Sequence, residues 1–127
     1  MEYTHFLVVS VPVSDQDRAR DFYVETLGFE LRRDVSFGNG QRWVEVAPRG
    51  AQTALTLVTW FPSMPPGSLR GLAIGAADVD AAYAELRRRG VAFDGPLQDV
   101  PWGRYATFED PDGNGLILQG APQGAKP

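Results

Sequence analysis

Few side chains in this sequence are of a type that does chemistry. There is one histidine, His5, and no cysteine, which excludes thiolate metal sites, disulfides and cysteine nucleophiles. Glu45 is the best candidate for acid–base work. It stands two positions from Trp43, so the two share one side of any strand that carries both. No histidine and no second carboxylate stands near it in the sequence, so neither a histidine relay nor a carboxylate pair is legible, and the catalytic residues remain unknown. The acidic run Asp110-Pro111-Asp112-Gly113-Asn114-Gly115 reads as a turn whose side chains serve local backbone donors. It is no phosphate loop, because a strand follows it and no Gly-Lys-Ser/Thr does.

Two helices and a set of strands must position these residues. The first helix is expected after Ser14, with Asp17 completing an approximate capping box. Its apolar stripe is Ala19, Phe22, Tyr23 and Leu27, and Gly28 ends it. The second follows Asp78, carries Val79, Ala82, Tyr83 and Leu86, and ends at Gly90. Roughly three turns are expected of each. The two halves repeat one another. Asp15 aligns with Asp78, Gly28 with Gly90, Arg42 with Arg104 and Gly50 with Gly113, at an offset constant to within one residue. Such constancy across helix, strand and turn indicates duplication. Each copy reads strand, helix, three strands: 6–13, 30–35, 42–47 and 53–60 in the first, and 72–76, 91–93, 104–108 and 116–119 in the second. The expected organisation is a first module over 1–60, a proline-rich linker over 61–70, a second module over 71–120 and a frayed tail over 121–127.

Strand alternation sorts the side chains by face. Leu7, Val9, Val11, Val44, Val46, Leu55 and Leu57 should face the helices, as should Leu72, Ile74, Ala106, Phe108, Leu116 and Leu118. The opposite parity carries Phe6, Val8, Ser10, Trp43, Glu45, Ala54, Thr56, Val58 and Trp60, then Gly71, Ala73, Gly75, Tyr105, Thr107, Ile117 and Gln119. This second set has the chemistry of a small-molecule pocket, with aromatic walls, small residues that leave room and a few polar groups. Its candidate ligand-binding residues are Trp43, Glu45, Thr56, Trp60, Tyr105, Thr107 and Gln119, with Phe37 and Trp102 on nearby loops. The competing reading has the aromatics fill the cleft or a dimer seam. Because Trp43 and Tyr105 hold matching positions in the two copies, symmetry should set them across the cleft from one another.

The stretch Val13-Ser14-Asp15-Gln16-Asp17-Arg18-Ala19, Phe22-Tyr23 and Leu27-Gly28-Phe29-Glu30 resembles the first-module signature of the vicinal-oxygen-chelate superfamily, the glyoxalase/bleomycin resistance protein/dioxygenase group. Asp78-Val79-Asp80-Ala81-Ala82 and Asp110-Pro111-Asp112-Gly113-Asn114 resemble its second-module signatures. The resemblance spans residues 6–120 and rests on the order and spacing of the motifs. It implies an α+β fold of two βαβββ modules related by pseudo-twofold symmetry, with curved mixed sheets around a cleft, usually within a homodimer. Enzymes of the group hold a divalent metal on the first and last strands of each module. The matching positions here are Val8, Thr56, Gly71 and Ile117, which offer at most one weak hydroxyl where several His, Asp or Glu donors are needed. On a strand, His5 points to the opposite face from Val8. No metal and no cofactor is expected.

A net charge of −4 and a pI near 4.9 disfavour nucleic acid and anionic membranes as partners. The Arg87-Arg88-Arg89 run fits the negative end of a helix dipole. No secretory leader or spanning segment is legible, so the cytoplasm is the default location. Three functions remain open. The first is a metal-free small-molecule binding protein, sequestering an aromatic or cationic metabolite or antibiotic. The second is an enzyme of the same family, a lyase, isomerase or transferase, metal-free or with a non-standard metal site. The third is a degenerate paralogue with a closed cleft.

Overall fold

A computed structural model describes residues 1–122. The expected tail over 121–127 lies, from 123 onward, outside the described residues. The chain runs β1 (Val8–Pro12), α1 (Gln16–Asp21) with a π-helical continuation (Phe22–Thr26), β2 (Glu30–Phe37), β3 (Gln41–Ala47) and β4 (Ala54–Val58), then β5 (Leu72–Gly75), α2 (Val79–Arg88), β6 (Gln98–Val100), β7 (Gly103–Glu109) and β8 (Gly115–Gly120). Two four-stranded sheets result, ordered β1-β4-β3-β2 and β5-β8-β7-β6. In each sheet the first strand pairs parallel to the last and the remaining pairs are antiparallel. This is the two-module α+β architecture.

The helices start as short polar side chains dictate. Asp15 caps α1 by accepting from the Arg18 amide at 3.1 Å, and Asp78 caps α2 by accepting from the Ala81 amide at 3.0 Å. The expected cap at Ser14 is therefore off by one residue. Ser14 is instead recruited by the second module, where Asp112 Oδ1 accepts from both its amide and its hydroxyl. Gly28 and Gly90 end the two helices in the left-handed region, with φ of 81° and 96°.

The duplication is visible in the ion pairs. Arg42 joins Asp17 in the first turn of α1 to Asp34 on β2, and Arg104 joins Asp80 in the first turn of α2 to Asp99 on β6. Each arginine pins the start of its module's helix to the hairpin beside it.

The strand expected at 91–93 is not one. Phe93 makes a lone bridge to Phe108, and the pairing strand is β6, at Gln98–Val100. Val91 and Phe93 belong to the core instead, so their apolar character came from packing under a loop. The first strand is also shorter than expected. Phe6 and Leu7 precede β1 and are 82% and 71% exposed, so Leu7 does not face the helices.

The core explains how the modules meet. Val11, Val44, Val46, Leu55 and Leu57 from one sheet share one cluster with Phe108, Leu116 and Leu118 from the other, and with Ala19, Tyr23, Val79 and Leu86 from the helices. Phe22 of the first module lies 6.5 Å, ring to ring, from Phe108 of the second. The helices thus lie between the sheets, and both helix-facing sides turn inward.

A short turn after β7 locks this arrangement. The Asp110 carboxylate, 5% exposed, accepts from the Tyr23 hydroxyl at 2.9 Å, the Asn114 side chain at 2.8 Å, and the amides of Asp112 and Asn114 at 2.9 Å each. Asn114 also donates to the Pro12 carbonyl at 2.8 Å, and Arg18 reaches Asp112 at 3.1 Å. Burial and the facing Asp110 charge push the Tyr23 phenol pKa well above its ordinary value. On the other side, Arg89 of the basic run donates to the Thr26 carbonyl at the end of the first helix at 3.1 Å.

Candidate functional site

Since both helix-facing sides converge on one core, the opposite faces of the sheets turn away from each other. The expectation that Trp43 and Tyr105 oppose one another across a cleft therefore does not hold within one chain. Each sits on the outward face of its own sheet.

The first sheet gathers Ser10, Trp43, Glu45, Thr56 and Trp60. Strand register sets three of them in a row, with Ser10 beside Thr56 and Thr56 beside Glu45. The Ser10 and Thr56 hydroxyls are 3.4 Å apart. Thr56, on β4 between its neighbours, is 1% exposed. Trp43 lies two residues along β3 from Glu45, and its indole N–H donates to Glu45 Oε1 at 3.0 Å. Trp60, just past β4, stacks on Trp43 with centroids 6.5 Å apart and planes inclined by 24°. Phe37 meets Trp60 edge-on at 5.8 Å, and Phe61 packs at 6.2 Å. The result is an aromatic platform abutting a polar row, all carried by the curved first sheet. Phe61, which sequence reasoning placed in the linker, joins the platform because it follows Trp60 directly.

The second sheet carries a plainer face. Ala73 and Gly75 are exposed and, with Gln119, line an open groove of about 430 Å³. Tyr105 sits beside Gln119 in the register, with its hydroxyl 3.5 Å from Gln98. Thr107 donates to Asp94 at 2.6 Å. Asp94 and Gln98 gave no signal in the sequence, because their region reads as a loop there.

The metal positions can be tested against the register. Thr56 is flanked on β1 by Ser10, and Ile117 on β5 by Ala73, while Val8 and Gly71 lie two residues earlier on the same faces. Neither alignment yields a donor set that fits a divalent ion. Among the described residues, no three His, Cys, Asp or Glu side chains gather as a metal site requires. His5 is exposed ahead of β1. Among the described residues, no helix is long and apolar enough to cross a membrane.

The fold and its motifs agree with what is known of other proteins. The family model described as Glyoxalase/Bleomycin resistance protein/Dioxygenase superfamily matches residues 4–118. The chain belongs to this superfamily. Within it, a crystal structure of TnmS3, an antibiotic binding protein from Streptomyces sp. CB03234, is 57% identical, with a TM-score of 0.90 over 95% of this chain and 98% of that one. A glyoxalase/bleomycin resistance protein from the same strain is 58% identical, with a TM-score of 0.81 over 91% and 99%. A superfamily member from Sphaerobacter thermophilus DSM 20745 is 39% identical, with a TM-score of 0.86 over 93% and 98%. An uncharacterised Bacillus subtilis protein, YetH, shares 34% identity over 87% of this chain and 93% of its own. The superfamily spans several chemistries, so membership fixes the fold and leaves function to the site.

Proposed function

We propose that this superfamily member is a small-molecule binding protein that sequesters a planar aromatic, neutral-to-cationic compound, such as an antibiotic, without transforming it. One observation carries the reading: the Trp43–Trp60 stack, tied to the Glu45 carboxylate, stands on an outward sheet face. Aromatic surface of this kind favours flat ligands, and a carboxylate beside it favours cations. The 57% identity to an antibiotic binding protein supports it. The polar groups gathered around the platform are the Ser10 and Thr56 hydroxyls, the Glu45 carboxylate and the Arg33 guanidinium beside it in the register, with no base–nucleophile pair among them, which favours binding over catalysis.

The same geometry supports a homodimer. Laid over the first sheet of one copy, the small-residue face of the second sheet of another would enclose a cleft with Trp43 on one wall and Tyr105 on the other. Sedimentation should show a dimer at micromolar concentration; a monomer throughout would remove this part of the proposal.

The function itself is tested by titrating planar aromatic antibiotics while following tryptophan fluorescence, and by recovering the compound afterwards. Quenching, weaker binding by Trp43→Ala and return of unaltered compound are expected. Binding indifferent to both Trp43→Ala and Trp60→Ala would overturn the assignment, and a chemically altered product would establish an enzyme.

A further inference from the structure

The polar row on the first sheet has a definite hydrogen-bonding sense. Among the described residues, the Trp43 indole N–H is the side-chain donor that bonds Glu45, and it is spent on Oε1 at 3.0 Å. Among the described residues Glu45 forms no ion pair. Arg33, its register partner on β2, is exposed and makes no salt bridge with it. Among the described residues, the second carboxylate oxygen of Glu45 therefore has no hydrogen-bond partner. At the other end of the row, the Ser10 and Thr56 hydroxyls bond each other. One hydroxyl hydrogen is consumed in that contact; Thr56 is buried, so the lone pairs a ligand can reach at this end are those of the part-buried Ser10. Across β1, β4 and β3, the row thus offers more acceptors than donors.

We infer that the Ser10–Thr56–Glu45 row is a specificity element that selects ligands carrying hydrogen-bond donors, phenolic hydroxyls or amines, along one edge of an aromatic ring system. The inference rests on the binding function proposed above and adds the edge chemistry of the ligand. The platform and the row adjoin through the Trp43–Glu45 bond, so a flat ligand resting on the indoles lays one edge against the row. A donor on that edge meets the free Glu45 oxygen. An ether there cannot donate, and leaves a desolvated carboxylate without a partner, which is the costly side of hydrogen-bond recognition. A carboxylate there would meet like charge. Thr56 matters as the buried middle of the row, where it sets the spacing between Ser10 and Glu45. The same orientation follows from the two sheets' asymmetry: the position of Glu45 corresponds in the second copy to Thr107, whose hydroxyl is engaged by Asp94.

The test uses three naphthalenes that share a ring system and differ at one edge: 2,3-dihydroxynaphthalene, 2,3-dimethoxynaphthalene and 2-naphthoate. Each is titrated into the ¹⁵N-labelled full-length protein, following the three tryptophan indole N–H resonances and assigning them by single Trp→Phe variants. The diol is expected to bind roughly tenfold or more tightly than the dimethoxy compound, as a charge-assisted hydrogen bond allows, and to shift the Trp43 indole signal. Glu45→Gln should shrink that preference severalfold, and Thr56→Val should weaken it while the indole spectrum stays dispersed. Equal binding of diol and diether, still sensitive to Trp43→Ala, overturns the row and leaves the platform standing. Tightest binding by 2-naphthoate also overturns it and assigns the edge to Arg33. Failure of all three to bind, or binding blind to Trp43→Ala, refutes the aromatic platform and the row with it.

Discussion

Tyr23→Phe removes one oxygen from the centre of the molecule and nothing else. Tyr23 is 0% exposed, and its hydroxyl donates at 2.9 Å to Asp110 Oδ2 across the two modules. Phenylalanine keeps the ring and its contacts with Phe22 and Phe29. A hydrogen bond to a charged group is worth about 1.5–3 kcal/mol. Asp110 retains three other donors in the variant, including Asn114 Nδ2 on the same oxygen, so the loss should be near the middle of that range, about 2 kcal/mol. For a chain of this size that lowers the melting temperature by about 7 °C. The alkaline limb provides an internal control. Because the folded-state pKa of Tyr23 is raised, the stability tied to its proton is fully present below the unfolded value, about 10, and is lost as pH rises from there toward the folded pKa. Each pH unit above about 10 then costs the wild type up to roughly 1.4 kcal/mol that the variant does not pay. Melting followed by circular dichroism should show a constant gap between the proteins from about pH 6 to 9, narrowing by about pH 11. A variant within 0.5 °C or so of wild type at neutral pH, given that scale, would show that the hydroxyl bond does not help hold the modules together. A gap that fails to narrow would show that the tyrosine proton is not linked to folding.

Acid should weaken the first module through Asp34. Arg42 and Arg20 hold its carboxyl at about 2, so its contribution is present above the unfolded value, near 4, and is lost as pH falls toward 2; after discounting for its 23% exposed side chain, the contribution is about 1 kcal/mol, and Asp34→Asn should show a correspondingly shallower acid limb in urea titrations. Gly67→Ala should be among the most damaging single changes: φ there is 82° and a Cβ would stand 2.2 Å from the Asp112 carbonyl oxygen, so a loss of about 3 kcal/mol or more is expected in denaturant melts. Asp78→Ala should cost about 1 kcal/mol through the lost cap of α2, measurable as a lower urea midpoint with unchanged slope. Chelator treatment should leave the melting temperature where it is, because the positions that would hold a metal offer no ligand set; a large drop would place a site elsewhere in the chain.

Local rules carried most of the fold. The helical spacing of Ala19, Tyr23, Val79 and Leu86, the glycines at 28 and 90 and the strand alternation at Val44, Val46, Leu116 and Leu118 are short-range signals, and each element they mark is present. Misreadings arose where a distant partner overrode a local preference. Ser14 is a good cap by type, yet Asp112, far along the chain, takes it and Asp15 caps instead. Val91 and Phe93 have strand-like composition but serve the core beneath a loop. The site was half legible. Parity placed Trp43, Glu45 and Thr56 on one face of one sheet, because a period of two is fixed by the backbone. Alternation says which face is buried, however, and not what it is buried against. That both sheets turn inward onto shared helices, separating Trp43 from Tyr105, depends on long-range packing that no window of sequence contains.

The turn at 110–114 imposes an order of events on synthesis. Pro12, Ser14, Arg18 and Tyr23 are synthesised well before their partners, Asp110, Asp112 and Asn114, which lie 87 to 102 residues further along the chain. Until those emerge, the first half carries a buried-type phenol without its acceptor and an apolar helix face open to water. A nascent chain of this protein is therefore expected to stay protease-sensitive until the turn at 110–114 has emerged and to become resistant only then, a late step typical of folds closed by contacts distant in sequence.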